Sequence, residues 1–264
     1  MDSSKQAIAD SFSRSASRYD QAAVIQQKAG NQLLLAMQQY LGENFTAKVV
    51  ADIGCGTGYF SADIVARYQP AEYVGVDLAQ GMLALAAKNN HHLNNARWLC
   101  NDAEDLALED QSVDLIYANF SLQWCENLPQ LMQSFQRVLT LGGVCCFTSL
   151  GSNTLAELRQ SWSAIDQFNH VNQFYDAAAW RFAIEHAGFS VVHNDKINTT
   201  AYFDSVTSAL RSLKEIGANV VKGEHRQGLT GKQRFVDFVD AYEVYRTAEG
   251  IPVSYEIDSW IIKR

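Results

Sequence analysis

Val49-Val50-Ala51-Asp52-Ile53-Gly54-Cys55-Gly56-Thr57-Gly58-Tyr59-Phe60 is the stretch that decides the fold. It reads as a short buried strand that runs into a glycine-rich turn and then into a helix. Glycine at 54, 56 and 58 lets the backbone turn sharply and leaves bare main chain for a ligand to lie against. The spacing is G-x-G-x-G with an acid two residues before the first glycine. The dinucleotide fingerprint wants its third glycine three residues after the second, where this chain has Tyr59. The turn is therefore suited to something other than a pyrophosphate.

Working outward, Tyr73-Val74-Gly75-Val76-Asp77 is a second short apolar strand, and Asp77 closes it 19 residues after Gly58. An acid at the end of the second strand of a doubly wound sheet accepts hydrogen bonds from a ribose diol; the plain alternative is a solvated strand-end carboxylate. Arg97-Trp98-Leu99-Cys100 reads as a third strand, and Asn101-Asp102-Ala103-Glu104 as the turn after it, placed to meet an adenine edge. This succession resembles the class I S-adenosylmethionine-dependent methyltransferases over roughly residues 47–150. The resemblance implies an α/β fold with a doubly wound, mostly parallel seven-stranded sheet. It also implies a set of cofactor residues: Asp52, Gly54, Cys55, Gly56, Gly58, Asp77, Leu78, Asp102, Ala103 and Asn119. S-adenosylmethionine has no phosphate, and its ammonium is the natural partner of an acid such as Asp52. The product would be S-adenosylhomocysteine.

Composition fits a compact protein. With 264 residues and 47% hydrophobic content the chain can bury one large core with an accessory subdomain. No apolar run approaches the roughly 20 residues of a membrane span, and Met1-Asp2-Ser3-Ser4-Lys5-Gln6 lacks a secretory start. Five cysteines without a C-x-x-C pair point to a reduced, cytoplasmic setting. The six histidines show no metal-ligand spacing, so no metal is expected.

Apolar residues between Gln21 and Leu41 recur at helical spacing, so the first 45 residues read as a helical segment covering the active site. The core, 46–194, alternates strands at 48–53, 73–77, 97–100, 113–118, 143–149 and 190–193 with helices at 59–68, 80–89, 127–140 and 176–187. Strict alternation implies parallel pairing with right-handed crossovers. Residues 151–175 and 195–250 interrupt it and read as mostly helical insertions, the second a substrate lid. Residues 251–264 alternate as a final strand, which in the family enters antiparallel.

Charge is uneven. Residues 1–194 carry 11 Lys and Arg against 19 Asp and Glu, whereas 195–264 carry 10 of each. Between 205 and 235 six basic residues (Arg211, Lys214, Lys222, Arg226, Lys232, Arg234) face only Glu215 and Glu224. Ordinary solvated helix faces account for this, and so does a docking patch for an acidic partner. Nucleic acid is not expected, because the chain as a whole carries a net charge of −8.

The acceptor half brings a closer resemblance. Phe12-Ser13-Arg14-Ser15-Ala16-Ser17-Arg18-Tyr19-Asp20 is similar to the start of the malonyl-[acyl-carrier protein] O-methyltransferases of the biotin pathway. So are Asn119-Phe120-Ser121-Leu122-Gln123-Trp124, Thr154-Leu155-Ala156-Glu157-Leu158, Ala209–Asn219 and Gly228-Leu229-Thr230. The resemblance implies methyl transfer to the free carboxylate of a malonyl thioester on acyl-carrier protein, or on CoA, by a monomer. A carboxylate near pH 7 is already ionised, its usual pKa being about 4, and no H-x-D base dyad follows the fourth strand. Such an acceptor needs a cationic clamp. Arg211 and Lys214, at i and i+3 of an expected helix, share one face. With Tyr19 they are the expected catalytic residues; Gln123 and Trp124 are the expected pocket residues, with core packing the alternative for Tyr19 and Trp124. Arg159 remains an unassigned candidate. Two other readings stand beside this one: a C- or O-methyltransferase of a quinone precursor or other small molecule, and a non-catalytic S-adenosylmethionine-binding protein.

Overall fold

In the computed structural model, residues 3–42, 44–217 and 231–264 are described. Seven strands form one sheet: β1 (Val49–Ile53), β2 (Glu72–Asp77), β3 (Ala96–Cys100), β4 (Val113–Ala118), β5 (Leu139–Leu150), β6 (Ser190–Phe203) and β7 (Ile251–Lys263). Their order is β3-β2-β1-β4-β5-β7-β6, with β7 antiparallel to both neighbours and β1 to β5 parallel. The order reverses between β1 and β4. Doubly wound sheets open a crevice at such a switch, beyond the carboxyl ends of the strands. The Gly54 turn leaves β1 there.

Helices cover both faces. Leu131 and Phe135 of α5 (Leu128–Val138) and Trp180 and Ile184 of α7 (Ala177–His186) pack on one, among Ile116, Phe147 and Trp260. Leu33 and Met37 of α2 (Val24–Leu41) and Ile64 of α3 (Ser61–Tyr68) cover the other, against Val50, Leu115 and Ile261. α5 starts where it does because Asn127 caps it, accepting from the Gln130 amide, and Pro129 occupies its first turn.

The expected N-terminal helix is two helices, α1 (Ser3–Ala22) and α2, broken at Ala23. α1 packs on α4 (Gln80–Asn89) through Ala9, Ala16, Ala79 and Met82. Gly81 permits this approach, since a Cβ there would stand 2.9 Å from the Ser13 backbone.

Two expectations need correction. The sixth strand does not stop at 193 but continues to Phe203, so 195–203 are sheet and not helical lid. Asn194, Asp195, Lys196, Asn198, Thr199 and Thr200 carry no apolar run. As an edge strand, however, β6 needs only backbone pairing, and β7 supplies it from Ser190 to Phe203. In the 151–175 insertion only α6 (Ala156–Ser163) is helical, and the chain from 164 to 176 runs through turns and irregular backbone. Beyond β6 stand α8 (Val206–Glu215), opened by a Ser205–Ser208 capping box, and α9 (Lys232–Glu243). With α6 they build a separate apolar cluster over the carboxyl end of the sheet, centred on Trp162, Phe238, Tyr242 and Leu213. No described helix is long and apolar enough to cross a membrane.

Candidate active site

The β1 turn has the left-handed backbone that its glycines permit, with φ of 72°, 56° and 74° at Gly54, Gly56 and Gly58. A Cβ at Gly54 would collide with Ser121 Cβ at 2.1 Å, whereas nothing lies within 4 Å of one at Gly56, which faces open space. The Gly54 and Cys55 amides donate to Val76 O. Asp77 fastens the turn from β2: its Oδ2 accepts from the Gly56 amide at 2.9 Å and its Oδ1 from the Ala79 amide at 2.8 Å. Burial raises the Asp77 carboxyl, and these backbone donors pull it back. Asp52 is 2% exposed and accepts from the Tyr73 hydroxyl at 2.6 Å. Burial pushes its carboxyl up to about 7, against the Tyr73 hydrogen bond and with help from the Asp77 charge.

Around this turn lies a cavity of about 110 Å³. Gly54, Gly56, Asp77, Leu78, Asp102, Ala103 and Asn119 line it from the sheet, and Lys5, Ile8, Phe12 and Tyr19 from α1. A smaller space of about 50 Å³ continues past Tyr19 and Asn119 to Asp52 and Cys55. Nine of the ten expected cofactor residues thus converge. Gly58 lines neither space: the Asn90 side chain donates to its carbonyl at 3.0 Å, and a Cβ there would meet Asn90 and Ala86, so it packs the turn onto α4. Lys5 was not foreseen. It pairs with Asp102 and Glu104. Burial alone would lower its ammonium, but the two carboxylates raise it.

A second cavity, of about 270 Å³, shares Phe12, Tyr19, Phe120 and Trp124 with the first. Phe12 meets Trp124 edge to face with centroids 5.4 Å apart, and Tyr19 at 6.2 Å. Phe120 sits at a φ of 52°, a conformation costly for a bulky residue, and is pinned by donation from its amide to Thr148 Oγ1 and from Gln123 Nε2 to its carbonyl. Leu150, Leu155, Leu158, Trp162, Leu210, Leu213 and Tyr255 make the rest of the wall largely apolar. Gln123, Trp124 and Lys214 line it as expected. Arg211 does not: it is exposed on α8 and lines neither cavity. Arg159 is also outside, its guanidinium donating to the carbonyls of Ser152 and Thr154 at 3.0 Å. Arg14 and Arg18 are exposed, and Lys222, Arg226, Ala218, Asn219 and Gly228–Thr230 lie outside the described residues.

One feature of this cavity escaped the sequence. His170 lines it, with Nε2 2.9 Å from Asp166 Oδ1 and its ring stacked on Trp162 at 3.8 Å. Acid and histidine four residues apart in an irregular segment look in sequence like any surface pair.

Residues 51–147 match the Methyltransferase domain family. The chain is 33% identical to the malonyl-[acyl-carrier protein] O-methyltransferase of Nitrosospira multiformis over 96% of its own length and 87% of the relative's. It is 35% identical to that of Yersinia pestis, over 98% and 92%. The chain belongs to the malonyl-[acyl-carrier protein] O-methyltransferase family. It is also 38% identical to the biotin biosynthesis bifunctional protein BioHC of Cellvibrio japonicus, spanning about half of that longer protein (49%) and 96% of itself. Among solved structures, the YcgJ protein of Bacillus subtilis has the same fold, with a TM-score of 0.62 at 15% identity over 88% of this chain and 97% of that one. S-adenosylmethionine is the cofactor of this methyltransferase family, and the first cavity fits it. The open cradle at Gly56, the Asp77 carboxylate and the buried, otherwise disfavoured Asp52 carboxylate match bare backbone, a diol and an ammonium.

Proposed function

We propose that this chain transfers a methyl group from S-adenosylmethionine to the free carboxylate of a malonyl group held as a thioester on acyl-carrier protein, giving a methyl ester that primes pimeloyl synthesis for biotin. One observation carries the reading beyond family membership. A donor cavity carrying Asp77 and Asp102 and an acceptor cavity rich in aromatics meet at a common partition of Phe12, Tyr19, Phe120 and Trp124.

When bound, the cofactor supplies an electrophilic methyl on a sulfonium. The residues do the rest. Asp52 would hold the ammonium of the amino-acid tail, Asp77 the ribose diol, and the Asp102–Ala103 turn the adenine. The largely apolar acceptor wall places the nucleophile that the cavity admits against the partition with the donor side. A carboxylate arrives ionised and needs no proton removed. Tyr19 Oη keeps its proton, because burial and the Asp77 and Asp20 charges raise it; it therefore donates a hydrogen bond and does not act as a base. Esterification removes a charge and leaves an apolar end that fatty-acid enzymes would accept. The reading carries with it a monomer working in the cytoplasm; cysteines that form no disulfide among the described residues suit a reducing compartment.

Release of S-adenosylhomocysteine tests this directly. Malonyl carrier protein should drive it, and acetyl carrier protein, which has no carboxylate, should not. Equal release with both, or turnover only with a hydroxylated quinone precursor, would transfer the assignment to a small-molecule methyltransferase.

A further inference from the structure

Resting on that reading, we infer that His170, held by Asp166 against the face of Trp162, is the cation that receives the acceptor carboxylate. A carboxylate entering a mostly apolar cavity loses its water and needs a compensating positive group. Arg211 lies outside the cavity, so among the described lining residues the cations available are Lys214 and His170. Lys214 is exposed. The His170 side chain is only 16% exposed and the Asp166 side chain 7%.

The hydrogen bond fixes the chemistry of the ring. Burial alone would raise the Asp166 carboxyl, but donation from His170 and from the Phe168 amide, with the His170 and Arg234 charges, lowers it overall. Asp166 is therefore an acceptor, and Nε2 must carry a proton. No described residue holds Nδ1. In the neutral ring Nδ1 is a lone pair that repels a carboxylate; in the imidazolium it is a donor that binds one. The ring lies between the Asp166 carboxylate and the electron-rich face of the Trp162 indole, in turn stacked on Phe238 at 4.1 Å. The other charged or titratable groups facing this corner are Arg234 of α9, whose Nη1 is 3.6 Å from Asp166 Oδ2, Lys214 of α8, Tyr19 of α1 and Tyr255 of β7. Both tyrosines are raised by burial, Tyr255 to about 12, so neither titrates near neutrality.

A general base of the same geometry would give the opposite pH dependence. If the imidazolium binds the substrate, kcat/KM for malonyl-CoA falls toward alkaline pH; if neutral His170 removed a proton, it would rise. The experiment is the pH profile of methyl transfer to malonyl-CoA, together with calorimetric binding of malonyl-CoA to the S-adenosylhomocysteine-loaded enzyme. His170→Asn keeps a donor to Asp166 but carries no charge. It should raise KM about 10- to 100-fold, abolish the alkaline fall and leave S-adenosylhomocysteine binding unchanged. Asp166→Asn, which removes the carboxylate that orients the ring, should also raise KM, and Lys214→Gln should keep the alkaline fall. His170→Asn with unchanged KM and an unchanged fall would overturn the anchor while leaving methyl transfer standing. Malonyl-CoA binding that depends on His170, with no turnover of either malonyl-CoA or malonyl carrier protein, would support the anchor and overturn the transfer reading. Should His170→Asn also lose S-adenosylhomocysteine binding, Asp166→Asn decides, and an unchanged KM for malonyl-CoA counts against the proposal.

Discussion

Asp52 is the residue whose environment has the plainest functional consequence. Burial raises its carboxyl from 3.8 to about 7, so without cofactor ionising it works against folding. The sign follows from linkage: the folded state binds the proton more tightly, so Asp52's contribution is complete below about pH 4 and is lost as pH rises through about 7. An ammonium beside it reverses the preference. S-adenosylhomocysteine affinity should therefore rise with pH, by up to about tenfold per unit below pH 7, and level off above. Asp52→Asn should flatten this dependence, and calorimetry across pH 5.5–8.5 is the check; a parallel slope in the variant would mean another group is responsible. Asp77 should behave differently, because it holds the Gly56 amide as well as lining the first cavity. Asp77→Ala should cost on the order of 1–3 kcal/mol of S-adenosylhomocysteine affinity, whereas unchanged affinity would remove Asp77 from the site. Both acids were legible in sequence because each stands at or next to the end of a short apolar strand, at a fixed distance from the glycine turn. Their second partners, Tyr73 and the turn's own backbone, were not, since those contacts depend on strand pairing.

At the scale of elements, α1 closes the donor cavity, and its latch is Lys5 bridging Asp102 and Glu104. The Glu104 side chain is 3% exposed and also accepts from the Glu126 and Asn127 amides, so α1 is tied to the segment that opens α5. Lys5→Ala leaves a buried carboxylate short of its cation and should speed S-adenosylhomocysteine dissociation by about tenfold or more. Arg97→Ala removes an exposed pair with Glu72, side chains 50% and 42% exposed, and should change neither dissociation nor stability by more than about 1 kcal/mol. Stopped-flow displacement separates the two, and equal dissociation rates would show that α1 is no latch. The elements themselves were readable where apolar periodicity is strong, in β1, β2, β4, α5 and β7. The polar edge strand β6 past residue 193 and the irregular chain from 164 to 176 were not. The first is held by backbone pairing, and the second by contacts of Trp162, His170 and Asp166 with distant helices; neither leaves a periodic trace.

Over the whole molecule, a net charge of −8 coexists with a locally basic stretch of sequence between residues 205 and 235. Of the six basic residues between 205 and 235, Arg211, Lys214, Lys232 and Arg234 are described, and Arg211, Lys214 and Lys232 are exposed around α8 and the start of α9. We assign them to steering an acidic carrier, with Arg211 serving the docking surface and not the buried carboxylate. Exposed charges are screened beyond about 8–10 Å at physiological salt. Raising ionic strength should therefore raise KM for malonyl carrier protein far more than for malonyl-CoA, and charge reversal at Arg211 and Lys232 should produce the same contrast through the association rate. Identical salt responses would reduce the patch to solvated surface. The central claim, that the acceptor is a carboxylate, is tested most directly by the bond that forms. Malonyl carrier protein incubated with the enzyme and S-adenosylmethionine should gain the mass of one methyl group, and mild alkali should remove it, as for an ester. A gain that survives alkali, or none with malonyl carrier protein while another acceptor is methylated, would contradict the account.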